Sequence, residues 1–536
     1  MSFCKRAVLA LALVSIGALM GCGNGTAKVV APPSGGFDKT NFSGTYVFSI
    51  TGGDVNFGFL AIAGVVTADG NGNITSGTLD INDSNFSGPV IANPITGGSY
   101  TVSVDGRGQA VLTTNTPFGS NIVVDFVLTS GSHGLITQFD NNGTGSGTLD
   151  LQSNVSQAQL AGTYVFSLTG TSGFNQVQGV NVPAATVGYL TIDGSGNATG
   201  GMDYNNNGSS TNIDIVEGSN VLVGSPGTAL IQANASSLSF DVYPISANHL
   251  KVIEADGGFP ILTGDMYVQT STSFPAGNLA FTMAGLDYTA SPALPQALGG
   301  IISTDGANIT GGVEDYDDAG VAGTVNSGIG GTSTFECCRY IVTLNGFVNG
   351  NGAVPGTSSF AAYPSSGGVQ MIEVDNGGIT AGVAYAQSNT AIAASQGYGF
   401  NLSAANANGF EEDDIAEFTT TSSSFSGAID YNDVQGGGSL SAKQSLTGTY
   451  TPDSPATGRG VISANAFNGA YYTVDGSTTL FLEADQNQLG LGTIQLQSTP
   501  TSSALTRNHF AVLKLKSAAK KQTWKPSNAF KRLTNR

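Results

Sequence analysis

The sequence predicts an all-β fold of four tandem antiparallel meander units, each an eight-stranded barrel-like domain. Three observations predict it. The first is composition: 76 of 536 residues are Gly and only 10% are charged. Polarity therefore comes from Gly, Asn, Thr and Ser, the residues of tight turns between short strands, which fits neither a solvated disordered chain nor a Lys/Glu-rich helical one. The second is an opening strand that recurs as GTYVFSITG from Gly44, GTYVFSLTG from Gly162, GNLAFTMAG from Gly277 and GYGFNLSAA from Gly397. The third is a closing strand, GTLDLQ, GDMYVQ, GVAYAQ and GTIQLQ, ending at Gln152, Gln269, Gln387 and Gln497.

In the opening strand the apolar residues alternate, as Tyr46/Phe48/Ile50, Tyr164/Phe166/Leu168, Leu279/Phe281/Met283 and Tyr398/Phe400/Leu402. That period of two turns one face inward. The first members lie 118, 115 and 119 residues apart, and with the closing strands they delimit units at 40–153, 158–270, 274–388 and 392–498. The stretch TADGNGNITSGTLDIND from Thr67 has near-copies beginning at Thr191, Ser303 and Thr420 and reads as the hairpin of the second and third strands. Strand-like runs in the first unit fall at 44–52, 58–68, 73–81, 97–104, 108–114, 121–129, 134–140 and 147–152. Asp69-Gly70-Asn71-Gly72 and Asp105-Gly106 mark hairpin turns between them. A meander of eight strands removes its exposed edges most simply by pairing the last strand with the first.

Residues 1–21 carry Lys5 and Arg6, then an apolar run from Ala7 to Met20 too short to span a bilayer comfortably. This is the layout of a secretory signal peptide. Leu19-Met20-Gly21-Cys22 resembles the lipobox of bacterial lipoproteins, which implies cleavage before Cys22 and a diacylglycerol on its sulfur. Two or more acyl chains anchor stably where one is marginal. Gly23, where an Asp would suggest retention in the inner membrane, implies the outer membrane, with the body periplasmic or surface-exposed. Residues 22–39 then read as a lipidated flexible tether.

From Cys22 to Ala504 seven basic residues face thirty-seven acids, a net charge of −30, whereas Arg507 to Arg536 carries nine basic residues and no acid. An acidic body repels phosphate backbones, so nucleic acid is excluded as a partner. Residues 499–536 form a basic tail that also holds the only Trp, Trp524. The pattern GTYxFxLTG, DGxGNxTxGxxDxN, IExD and GxxxxQ resembles the tandem repeats of uncharacterised lipoproteins from large soil-bacterial genomes. The resemblance spans nearly the whole mature chain and implies no particular activity. The Gly-Arg-Gly around Arg107 and Arg459 is missing from the second and third units, so no role for it is expected in all four.

Two motifs bear on chemistry. Carboxylates two residues apart recur as Glu254/Asp256, Glu373/Asp375 and Glu483/Asp485, with Gln138/Asp140 in the first unit. Strand geometry separates such a pair by about 6.5 to 7 Å, near the spacing of a glycosidase. Copying with the framework and the loss of the acid at Gln138 favour strand-end capping instead. In DYNNNGSSTNID, Asp203, Asn205 and Asn207 stand at loop positions 1, 3 and 5, Gly208 at 6 and Asp214 at 12. That is the oxygen spacing of a calcium loop and also ordinary Asx turn chemistry. Calcium is the only cofactor the sequence suggests.

His133, His249 and His509 occupy unrelated contexts, and no nucleophile elbow, zinc motif or phosphate loop occurs. Cys337 and Cys338 read as two buried thiols or, against the strain of an eight-membered ring, a vicinal disulfide. These readings converge on a non-enzymatic surface lipoprotein acting as a structural, adhesive or ligand-binding module, with a glycan, a cell-wall component or a small molecule inside a barrel. The runner-up is a hydrolase acting on extracellular glycan.

Overall fold

The computed structural model describes residues 27–498 apart from 176–179, 225, 234–235, 290–292, 319, 326–327, 351–353, 407–408 and 486–487. Cys22, His509 and the basic tail lie outside the described residues. Each unit closes into a barrel of eight antiparallel strands, and the four follow in tandem. In the first barrel the strands are β1 (Ser43–Asp54), β2 (Phe59–Asp69), β3 (Asn73–Asp83), β4 (Val90–Ile95), β5 (Gly97–Val102), β6 (Arg107–Thr116), β7 (Gly119–Leu128), β8 (His133–Gln138) and β9 (Gly143–Leu151). Closure is made by β1 against β9, with Tyr46 opposite Leu151.

Strands β4 and β5 are halves of one broken strand, both pairing with β3, so the barrel still counts eight. Sequence patterning misses β4 because Pro89 and Pro94 disguise it as a loop. It is laddered on one side only, the position where a strand tolerates Pro. The turn from β2 to β3 explains the DGxGN signature. Asp69 Oδ1 accepts the backbone N–H of Asn71 (2.7 Å) and Asn73 (3.0 Å), and Oδ2 accepts the Asn73 amide (2.8 Å). Those bonds, the Asn73 amide foremost, hold the Asp69 carboxyl down at about 2. Gly70 and Gly72 take φ of 75° and 104°, which a side chain would oppose. Asp193 and Asp305 make the same turn in the second and third barrels.

Every expected inward triplet of the opening strands is in a barrel core. In the second barrel a gap of about 20 Å³ remains, lined by residues such as Phe166, Met202 and Phe240. That is room for about one water. The interior is a packed core, not the ligand cavity that the binding reading placed there.

The barrels join in a ring, because the alternate face of each opening strand is buried as well. Val47 packs with Tyr243, Ile245 and Ile253 of the second barrel. Val165 packs with Ala361, Tyr363 and Ile372 of the third, and Ala280 with Ala470, Tyr472 and Leu482 of the fourth. The fourth barrel then sets Ile415 against Val127 and Leu135 of the first. A head-to-tail contact repeated with a rotation that closes generates a ring, and here it closes after four barrels within one chain.

Polar staples repeat at the joints. The third-strand Asp accepts the next barrel's tyrosine hydroxyl: Asp80 from Tyr243 (2.6 Å), Asp203 from Tyr363 (2.6 Å) and Asp315 from Tyr472 (2.8 Å). Two residues on, the Asn donates to the next barrel's carbonyls: Asn82 to Glu254 (2.9 Å), Asn205 to Glu373 and Gly378 (both 3.0 Å), Asn432 to Gln138 (2.7 Å) and Gly143 (2.9 Å). The closing Gln reaches Pro244, Pro364, Thr473 and Leu128 of the following barrel.

Arginine completes three joints. Arg339 pairs with Asp203, Arg459 with Asp315 (2.5 Å) and Arg107 with Asp430 (3.7 Å). Each of these arginines opens the fifth strand of its barrel, so the role is shared by three units although the flanking glycines are not. Residues 27–36 of the expected tether lie at the joint between the fourth and first barrels. Ala27 N–H donates to Lys443 O (3.0 Å), and buried Pro32 covers Gly397. The cysteines depart from the buried expectation: Cys337 is exposed, Cys338 half-buried, and both are free.

Candidate functional site

On the ring axis, where the four barrels converge, strands β8 and β9 and their equivalents present their outward faces to a cavity of about 500 Å³. Ladder register identifies equivalent positions. Asp150, Tyr267, Tyr385 and Gln495 face Val47, Val165, Ala280 and Gly399, each the residue after the first inward apolar residue of its opening strand. His133, His249 and Thr478 begin equivalent strands, with Gly368 in the same place in the third barrel. The histidines thus share a repeated position, contrary to the sequence reading. Aligning HGLITQ with HLKVIE would have exposed it.

Two acid–base pairs sit side by side in this cavity. His133 Nδ1 lies 2.6 Å from Asp150 Oδ1, and Thr148 Oγ1 donates to Asp150 Oδ2 at 3.1 Å. His249 Nε2 lies 2.6 Å from Asp265 Oδ1, which also holds Lys251 Nζ at 2.8 Å. Lys251 is buried. The Tyr267 ring stacks on His249 with centroids 4.3 Å apart. Burial pushes both carboxyls up, but the charges around them win. Asp150 ends below the usual range through His133, Lys251 and His249, and Asp265 well below it through Lys251 and His249. Both acids therefore stay ionised and fix the rings they hold. Tyr385 comes from the third barrel, and Asn401, Thr478 and Gln495 come from the fourth.

A second cavity of about 780 Å³ also draws on all four barrels and meets the first at Ser403 and Leu491. It is more apolar. Phe57 of the first barrel stacks on Phe410 of the fourth at 5.3 Å, with Ala297 and Leu489 nearby. Glu411, whose carboxyl is pushed well up by burial and then by Asp413, and Gln435, which donates to Asp54 O at 2.9 Å, supply its polarity. The axis thus runs from an apolar mouth to a charged one.

The motifs singled out in the sequence lie elsewhere. Asp203 to Asp214 is a β-hairpin: Asp203 and Asn205 are on one strand, Asn207 (φ 55°) and Gly208 make the turn, and Asp214 is exposed on the return strand opposite Gly201. The Asp203 and Asn205 side chains are engaged in the joint to the third barrel. Among the described residues, no three His, Cys, Asp or Glu are grouped to hold a metal ion. The paired acids lie at strand ends in the second, third and fourth barrels. Glu254 accepts Leu262 N–H (2.9 Å) and Asp256 accepts Ser239 N–H (3.0 Å). Burial, then the Asp256 charge, pushes Glu254 well up.

No family model and no curated protein matches the chain. Among solved structures it is similar to a protein of unknown function from the DUF3598 family of Nostoc punctiforme, at 13% identity over 43% of this chain and 97% of that one, with a TM-score of 0.13. It is also similar to the FrpB iron transporter of Neisseria meningitidis, at 8% identity over 85% and 81% of the two chains, with a TM-score of 0.12. At these TM-scores neither likeness carries an argument.

Proposed function

We propose that the protein is a non-enzymatic lipoprotein of the bacterial outer membrane, held by Cys22, whose barrel ring is a ligand-binding module with its site on the axis. One observation carries this reading: the axial positions differ between repeats while the framework is copied. The joints keep Asp80, Asp203, Asp315 and Asp430, and all four closing Gln, whereas the axis has His133, His249 and Thr478, then Asp150, Tyr267, Tyr385 and Gln495. Four copies thereby build one asymmetric site. Acids, amides, hydroxyls and tyrosine rings around about 500 Å³ suit a polyhydroxylated ligand such as a cell-wall glycan fragment.

The test is calorimetric titration of the chain from Gly23 with soluble muropeptides and neutral oligosaccharides. Saturable binding is expected, and Asp265→Asn with Lys251→Ala should abolish it. Binding unchanged in that variant, or none to any member of the panel, overturns the axial site. The second reading, a glycan hydrolase, would use the two His–Asp pairs, and new reducing ends in the same mixtures would establish it.

A further inference from the structure

Glu336-Cys337-Cys338-Arg339 is the two-residue turn between strands Gly330–Glu336 and Arg339–Phe347 of the third barrel, with Glu336 opposite Arg339. Its first and fourth barrel equivalents precede Arg107 and Arg459 with Gly106 (φ 88°) and Gly458 (φ 95°). The third barrel instead spends two cysteines on the turn. Cys337 takes φ 61°, a left-handed conformation that favours glycine over a residue with a Cβ. At this turn the two Sγ atoms lie 3.3 Å apart, Cys337 exposed and Cys338 half-buried. A two-residue hairpin turn takes positive φ at its first position, where glycine is usual, so a cysteine there keeps a thiol at a place the turn itself would give to glycine.

We propose that Cys337 and Cys338 form a thiol–disulfide exchange site whose reactant is the disulfide of a soluble thiol carrier. One cysteine thiolate attacks a carrier sulfur, the carrier S–S bond breaks, and the first carrier thiol leaves with a proton. The second cysteine thiolate then attacks the protein sulfur of that mixed disulfide. The Sγ–Sγ bond forms and the second carrier thiol leaves. Two electrons pass from the cysteines to the carrier, and a dithiol reverses the sequence.

The sulfurs need close only from 3.3 Å to about 2.05 Å. The resulting small ring is strained, and strained, exposed disulfides are the labile and exchangeable ones. The hydrogen bond between the two thiols favours the protonated Cys337 and raises it above its ordinary value, so exchange quickens as pH rises.

In the chain from Gly23, which keeps all four barrels and joints, these are the only thiols. The probe is oxidised glutathione, read by thiol titration and intact mass. The reduced protein should titrate both thiols. After excess oxidised glutathione it should titrate none, lose two hydrogens in mass, retain no glutathione and stay a single chain. Cys338→Ser should keep one glutathione bound, because its resolving thiol is gone. Wild-type protein that holds glutathione, joins two chains, or keeps both thiols free under excess oxidant overturns the proposal.

Discussion

At the scale of single residues, the third-strand Asp shows how one pattern supports two readings. Asp203 and Asn205 have calcium-loop spacing, yet the structure spends them on Tyr363, Arg339 and backbone carbonyls across a joint. As a calcium ligand Asp203 would be dispensable in metal-free buffer. As a joint residue it is not, since Asp203→Ala strands the Tyr363 hydroxyl and a largely buried guanidinium. The expected loss in metal-free urea melts is about 3 kcal/mol, and an unchanged melt would return the residue to the calcium reading. At the first joint, among the described residues, no cation is paired with Asp80. Instead Asp80 faces Asp241, and burial followed by the Asp80 charge pushes Asp241 up to about 8. A carboxyl raised in the folded state contributes stability that is complete below about pH 4 and lost as pH rises towards 8. Asp241→Asn should therefore flatten stability between pH 5 and 8, removing a slope of at most about 1.4 kcal/mol per pH unit. Parallel profiles for the two proteins would refute the assignment.

At the scale of elements, strands and turns were legible because each is set by local chemistry. Asp-Gly turns and period-two apolar positions place eight of the nine strands β1 to β9 close to where they lie, and only β4, masked by its prolines, escapes. The second face of the opening strand was not legible as a joint, because Val47, Val165 and Ala280 meet partners more than a hundred residues away. Glycine at those joints marks close approach. A Cβ on Gly299, in the third barrel's second strand Leu294–Thr304, would sit 2.5 Å from the Tyr472 ring of the fourth barrel. A Cβ on Gly311, on the neighbouring strand Asn308–Asp318, would meet nothing within 4 Å. Gly299→Ala should cost about 1 to 3 kcal/mol by overpacking, whereas Gly311→Ala should be neutral. Equal melts for the two would mean that the joint yields.

At the scale of the whole molecule, the axial site was hidden from the sequence because its residues come from four repeats and none forms a local motif. Tandem order also suggests a row of independent domains, whereas the fourth joint makes a ring. Both ends of the described chain meet that joint: Ala27 N–H donates to Lys443 O (3.0 Å), and Ser498 N–H donates to Thr129 O (2.7 Å). Chain continuity is therefore absent only there, and the joint must be held by contacts such as Ile415 on Val127 and Asn432 on the carbonyls of Gln138 and Gly143. Where the chain is cut should then matter less than whether four barrels are present. A circular permutant that begins at Ala276, between the second and third barrels, with residues 498 and 27 joined by a flexible linker, should keep one cooperative urea transition and the parent's sedimentation coefficient. Deletion of 392–498 keeps every bond inside the other three barrels but leaves two joint faces bare, Ala280 with Ala297 on the third and Val127 with Leu135 on the first. Those barrels should then unfold at lower urea and in more than one step. If the deleted chain melts as the parent does, the joints add nothing to folding, and the ring is four barrels lying side by side.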